Sequence, residues 1–251
     1  MTPTEARRAI ALVDLTNLTD DCDAVAIAAL CERAERFGTA AVCVWPDFVA
    51  QAADLLAGSS VEIATVVNFP TGDERVFSVV GQAERALADG ATEIDLVLPY
   101  RALAAGNEAH ARTMVSAVRT VTSGRATLKV ILETGELVDP GLITAASELA
   151  VDAGADFIKT STGKSPVSAT PEAASAMLAV IAEAGRPVGL KPSGGISSAD
   201  DAERYIGLAD GVMGAGWAAP TTFRFGASSL LAALLDAAEL DGDTPPPPTG
   251  Y

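Results

Sequence analysis

Histidine, cysteine, lysine and aromatic side chains are all scarce in this chain, and each shortage removes a class of function. Among 251 residues there are one histidine, His110, three cysteines, Cys22, Cys31 and Cys43, and only 5% aromatics. The cysteines are too irregularly spaced for a zinc site, which needs a cluster of nitrogen or sulfur ligands, and no metal is expected. An odd cysteine count without an N-terminal signal segment fits a reducing, cytoplasmic setting rather than a disulfide framework. No apolar run approaches the ~20 residues of a membrane span. Basic residues are also few: the net charge is −16, which argues against nucleic acid or an anionic membrane as a partner. The partner expected is a small-molecule substrate, and the question of a homodimer stays open.

The lysine shortage is the most informative. Of the 17 basic side chains four are lysine, which leaves 13 arginines. Lys129, Lys159, Lys164 and Lys191 all lie in or just after apolar, strand-like runs. Burying an ammonium costs several kcal/mol unless it is paired or neutral. Arginine therefore carries the surface, and lysine is kept for positions where an amine is needed.

What is plentiful is a repeating α/β pattern. Apolar runs at 9–16, 39–45, 61–68, 92–99, 126–133, 155–161, 187–193 and 209–215 read as buried parallel strands. Between them the period becomes helical, as in Val76, Val79, Val80, Ala83 and Leu87. Asp139-Pro140 and Thr170-Pro171 mark helix starts, and Gly38, Gly90, Gly154 and Gly185 mark helix ends. The pattern predicts an α/β fold: a single (β/α)8 TIM barrel over 1–240 with a short N-terminal helix, followed by a proline-rich tail over 241–251. A doubly wound open sheet is the alternative, disfavoured by the lack of a G-x-G-x-x-G turn.

The motifs gather at strand ends. Lys159 and Lys191 each close an apolar strand beside a glycine-rich turn. A lysine acts as a nucleophile only when neutral, so from an ordinary pKa near 10.4 it must come down to about 7, roughly 4 kcal/mol. A second ammonium close by, together with burial, supplies much of that. A weak repeat aligns Gly38, Gly90 and Gly154, and five residues past each stand Cys43, Asp95 and Lys159. Strand alternation then places all three toward the C-terminal mouth of the barrel, and Asp14 ends the first strand comparably. Asp95 is placed to take protons from the lysines; the structural alternative is a Lys–Asp–Lys ion network. Cys43, without a histidine beside it, reads as a small residue lining the mouth. Lys129 reads as an interior ion-pair partner of Glu133 or Asp95. The turns Gly163-Lys164, Gly194-Gly195 and Gly226-Ala227-Ser228-Ser229 expose backbone N–H groups and form an anion pocket with the helix that begins near Ser228.

DLTNLTD (14–20), VCVWP (42–46), ATVVNFPTG (64–72), EIDLVLPY (93–100), VILETGEL (130–137), FIKTSTGK (157–164), LKPSGGI (190–196) and FRFGASSLL (223–231) together resemble the deoxyribose-phosphate aldolase family across nearly the whole chain. The resemblance implies a class I aldolase that needs no cofactor or metal and works through a lysine Schiff base. It assigns Lys159 as the Schiff-base residue, Lys191 as the group lowering its pKa, and Asp95 as the proton relay. Tyr251 would assist proton transfer at the donor methyl carbon. Asp14, Cys43, Thr162, Gly163, Lys164, Gly194, Gly195, Gly226, Ser228 and Ser229 would bind the substrate and its phosphate. Ser197 stands where several relatives carry arginine, which implies a weaker phosphate grip. The implied reaction is reversible cleavage of 2-deoxyribose 5-phosphate in deoxyribose phosphate catabolism. Competing readings are a transaldolase-like enzyme, a phosphosugar isomerase, and a binding protein without turnover.

Overall fold

The computed structural model describes residues 1–240; the expected tail, 241–251, and with it Tyr251, lies outside the described residues. Eight parallel strands run in the order β7-β6-β5-β4-β3-β2-β1-β8. They are β1 (Val13–Asn17), β2 (Ala41–Val44), β3 (Glu62–Val67), β4 (Glu93–Val97), β5 (Thr127–Ile131), β6 (Phe157–Lys159), β7 (Gly189–Lys191) and β8 (Phe225–Ala227). Parallel bridges from Leu190 to Phe223 and from Ser193 to Gly226 join β7 to the β8 segment and close the barrel. Helices cover the outer face, so β2 and β4 are buried at every position. That is why these strands read as continuous apolar runs rather than as alternating ones.

The connections obey the expected local chemistry. Thr170 caps the helix Pro171–Glu183 by accepting from the Ala173 N–H, with proline at the first turn. Asp139 caps Pro140–Asp152 in the same way. Gly38 ends Ala24–Phe37 at φ +67°, and Gly90, Gly154 and Gly185 also carry positive φ. The N-terminal helix Pro3–Ile10 is fixed by a capping box between Thr2 and Glu5.

One strand differs from expectation. Residues 209–215 do not form the eighth strand; most of them finish the helix Ala199–Met213. Ala202, Tyr205 and Ala209 form its buried face, while Asp210 pairs with Arg8 at 3.0 Å and accepts the Ala218 N–H at 2.8 Å. The true β8 is three residues long and follows Arg224, so it has too little apolar length to stand out. Two details shift with it. Gly226 and Ala227 belong to β8 rather than to the turn after it, and the helix that follows is Leu230–Ala237 with Ser229 as its N-cap. Asp14 likewise sits near the start of β1, not at its end.

Candidate active site

Among the described residues, seven charged side chains meet in the barrel interior. Asp14 comes from β1, Glu93 and Asp95 from β4, Lys129 from β5, Lys159 from β6, Lys191 from β7 and Arg224 from just before β8. All are buried. Asp95 is the hub: its Oδ2 accepts from Lys159 Nζ at 2.8 Å and from Lys191 Nζ at 2.8 Å, and its Oδ1 accepts from Lys129 Nζ at 3.0 Å. Two nitrogens on one oxygen cannot lie farther apart than twice that distance, so the amines of Lys159 and Lys191 are neighbours. The register explains the meeting, since Lys159 pairs with Lys191 across β6 and β7, while Asp95 pairs with Lys129 across β4 and β5.

A second carboxylate divides the two amines. Lys191 Nζ lies 2.5 Å from Asp14 Oδ2. Asp14 Oδ1 accepts in turn from the Arg224 guanidinium at 2.7 Å, and the same guanidinium reaches Glu93 at 3.0 Å. Lys129 also pairs with Glu93. Among the described residues, the carboxylate in ion-pair reach of Lys159 is Asp95, which it shares with two other amines. Four bases therefore face three acids.

The electrostatics follow from this arrangement. Burial pushes the Asp14 carboxyl up, but Lys191, Arg224 and Lys129 outweigh it and hold the group well below the usual carboxylate range. Asp95 is held low in the same way by Lys129, Lys159 and Lys191 against its own burial. For Lys191 burial acts downward, yet Asp14 and Asp95 hold its pKa far above the ordinary value. Lys129 is raised by Asp95 and Glu93, and Arg224 by Asp14 and Glu93, each against burial. The neighbouring carboxylates thus favour the charged forms of Lys191, Lys129 and Arg224.

Beside this network opens a cavity of about 310 Å³ at the C-terminal ends of the strands. Thr162, Gly163, Lys164, Gly194, Gly195, Gly226, Ser228 and Ser229 all line it, and so does Ser197. The anion-pocket residues chosen from sequence are therefore brought together. Gly194 is glycine for a steric reason, since a Cβ there would meet the Ser168 hydroxyl at 2.5 Å and the Gly163 Cα at 3.3 Å, while Gly163 and Gly195 have φ +80° and +77°. Lys164 sends its ammonium to the Leu18 carbonyl at 2.9 Å and over the Trp45 ring. Asp14 and Cys43 lie outside this lining. Asp14 belongs to the ion network, and Cys43 packs with Leu18, Ala41, Ala64 and Val66. Burial pushes the Cys43 thiol up, as expected of an unreactive interior cysteine.

Sequence reasoning missed Glu93 and Arg224, and it paired Lys129 with Glu133 as an alternative. Lys129 joins Asp95 and Glu93 instead, while Glu133 accepts from the Thr162 hydroxyl at 2.5 Å. An arginine between two phenylalanines, Phe223 and Phe225, was the available signal for Arg224. Among the described residues no group of three or more His, Cys, Asp and Glu is placed to hold a metal ion, and no helix is long and apolar enough to cross a membrane.

Residues 8–236 match the model of the DeoC/LacD family aldolases. The chain belongs to that family. As an aldolase of this family it is 54% identical over 230 residues to the deoxyribose-phosphate aldolase of Agrobacterium fabrum strain C58, covering 90% of this chain and 89% of the relative. The barrel also superposes on a Coccidioides immitis protein solved as a candidate deoxyribose-phosphate aldolase, with a TM-score of 0.83 and 31% identity over 92% of this chain and 86% of that one. A tetrameric deoxyribose phosphate aldolase from Aeropyrum pernix gives 0.78 at 26% identity, covering 91% and 90%.

Proposed function

We propose that this aldolase cleaves 2-deoxy-D-ribose 5-phosphate reversibly to D-glyceraldehyde 3-phosphate and acetaldehyde, with Lys159 as the Schiff-base residue. The observation that carries the reading is the placement of Lys159 and Lys191 on one oxygen of Asp95, beside a cavity walled by three glycine-rich turns. The 54% identity to an enzyme of that name supports the choice of substrate.

The mechanism follows from the charges. A fixed ammonium disfavours a second one beside it, and Lys191 is the fixed one, held by Asp14 and Asp95. Lys159, relieved of its proton, adds to the C1 carbonyl of the open-chain sugar. Asp95 relays the protons that let the carbinolamine leave as water and iminium, with the Lys191 ammonium fixed beside it. The iminium draws the C2–C3 bonding pair toward nitrogen as the C3 hydroxyl gives its proton to the Asp95 carboxylate. The three-carbon aldehyde departs and a two-carbon enamine stays on Lys159. Protonation of the enamine at C2, by Tyr251 or by water, and hydrolysis release acetaldehyde and restore the amine. The iminium is the electron sink, so the scheme calls on no cofactor. The sugar phosphate sits in the cavity formed by Thr162 to Lys164, Gly194, Gly195, Ser228 and Ser229.

The test is turnover of deoxyribose 5-phosphate with both aldehydes quantified, before and after treatment with EDTA. Equimolar acetaldehyde and glyceraldehyde 3-phosphate at a rate EDTA leaves unchanged are expected. An activity lost to EDTA, or isomerisation without cleavage, would overturn the proposal.

A further inference from the structure

Glu133, at the end of the β5 segment, has φ +58° and ψ +58°. Side chains other than Asn and Asp seldom occupy that left-handed region, and such outliers persist only where surrounding contacts demand them. The contacts here point one way. Glu133 is buried, its Oε2 accepts the Thr162 hydroxyl at 2.5 Å, and its carboxylate faces the Thr162 N–H at 3.3 and 3.4 Å. Burial pushes its pKa up, while Thr162 and Ser165, both in the turn after β6, draw it down.

The bond continues into the cavity wall. With its proton committed to Glu133, the Thr162 oxygen accepts the Lys164 N–H at 3.0 Å. This closes the turn around Gly163, whose φ is +80°. The next residue from Glu133 adds a second tie, since the Thr134 N–H donates to the Thr160 carbonyl at 2.9 Å. Glu133 itself does not line the cavity, whereas Thr162, Gly163 and Lys164 do.

We propose that Glu133 is a positioning residue: through Thr162 it fixes the Thr162–Lys164 turn in the shape that receives the substrate's phosphate. The proposal rests on the phosphate being bound in that cavity, as the function above requires. Glu133 therefore acts on discrimination between phosphorylated and unphosphorylated sugar more than on bond cleavage. A carboxylate one methylene shorter loses its reach to Thr162, while a glutamine keeps an acceptor at the same distance.

The experiment measures kcat and KM for 2-deoxyribose 5-phosphate and for 2-deoxyribose in the wild type, Glu133→Asp and Glu133→Gln. Glu133→Asp is expected to lower the preference for the phosphorylated sugar about tenfold, the scale of one charge-assisted hydrogen bond. The loss should fall on KM, with kcat for unphosphorylated sugar within about twofold of wild type. Glu133→Gln should recover most of the preference. An unchanged preference in Glu133→Asp, or equal losses on both sugars, would overturn the proposal. A wild-type enzyme with no phosphate preference would instead overturn the functional reading, and this inference with it.

Discussion

At the scale of single residues the decisive feature is the sharing of Asp95 among three amines. Removing one member of such a buried set strands its partners, which costs about 3–5 kcal/mol. Lys191→Met should therefore destabilise the protein by that amount in denaturant unfolding, and should also lower kcat by about a hundredfold or more, the scale of one lost acid–base group. A variant with full activity would show that Lys191 is only structural. Asp95 also gives a pH prediction. Its carboxyl is held well below its ordinary value in the fold. The stability it contributes is present above the unfolded pKa near 3.9 and is lost as pH falls through the lower folded value. Asp95→Asn should flatten the fall in stability below about pH 4, measured by unfolding from pH 2 to 7. An unchanged acid limb would mean that Asp95 is not the carboxylate being titrated.

At the scale of elements, short strands place the buried amines. β6, β7 and β8 are three residues each, and the first two end on Lys159 and Lys191. Gly226 in β8 shows how tightly they are set: a Cβ there would collide with Ser193 Oγ and meet Lys191 Cε at 3.1 Å. Gly226→Ala should displace the Ser193 turn and Lys191 together. A loss of about 1–3 kcal/mol from overpacking is expected in thermal unfolding, together with a lower kcat and a higher KM. A fall in stability with unchanged kinetics would show that the turn moves independently of the site. The same shortness explains what the sequence concealed. Lys159 and Lys191 could be placed because apolar residues precede them inside clear runs. The stretch 209–215 looked more strand-like than Phe225–Ala227 because a helix with a buried face of Ala202, Tyr205 and Ala209 is also apolar, and local pattern does not separate the two over so few residues.

At the scale of the molecule, closing eight strands into a barrel turns distant residues into neighbours. Asp95 and Lys191 are 96 positions apart in sequence yet 2.8 Å apart in space. The Gly-to-residue offset that linked Asp95 with Lys159 was legible because each β/α unit repeats the same geometry. The roles of Glu93 and Arg224 were not, since an ion pair across the barrel depends on closure between β7 and β8 and leaves no trace in local spacing. Glu133 was visible as a buried acid, but its partner depended on the left-handed turn that swings it from Lys129 toward Thr162. At this site the barrel brings the amines of Lys159 and Lys191 onto one oxygen of Asp95, and of the two, among the described residues, Lys191 has a second carboxylate in Asp14. The most direct test is borohydride reduction in the presence of acetaldehyde, followed by peptide mass mapping. A reduced two-carbon adduct on Lys159 is the expected result; an adduct on Lys191 instead, or no adduct from an active enzyme, would contradict the account.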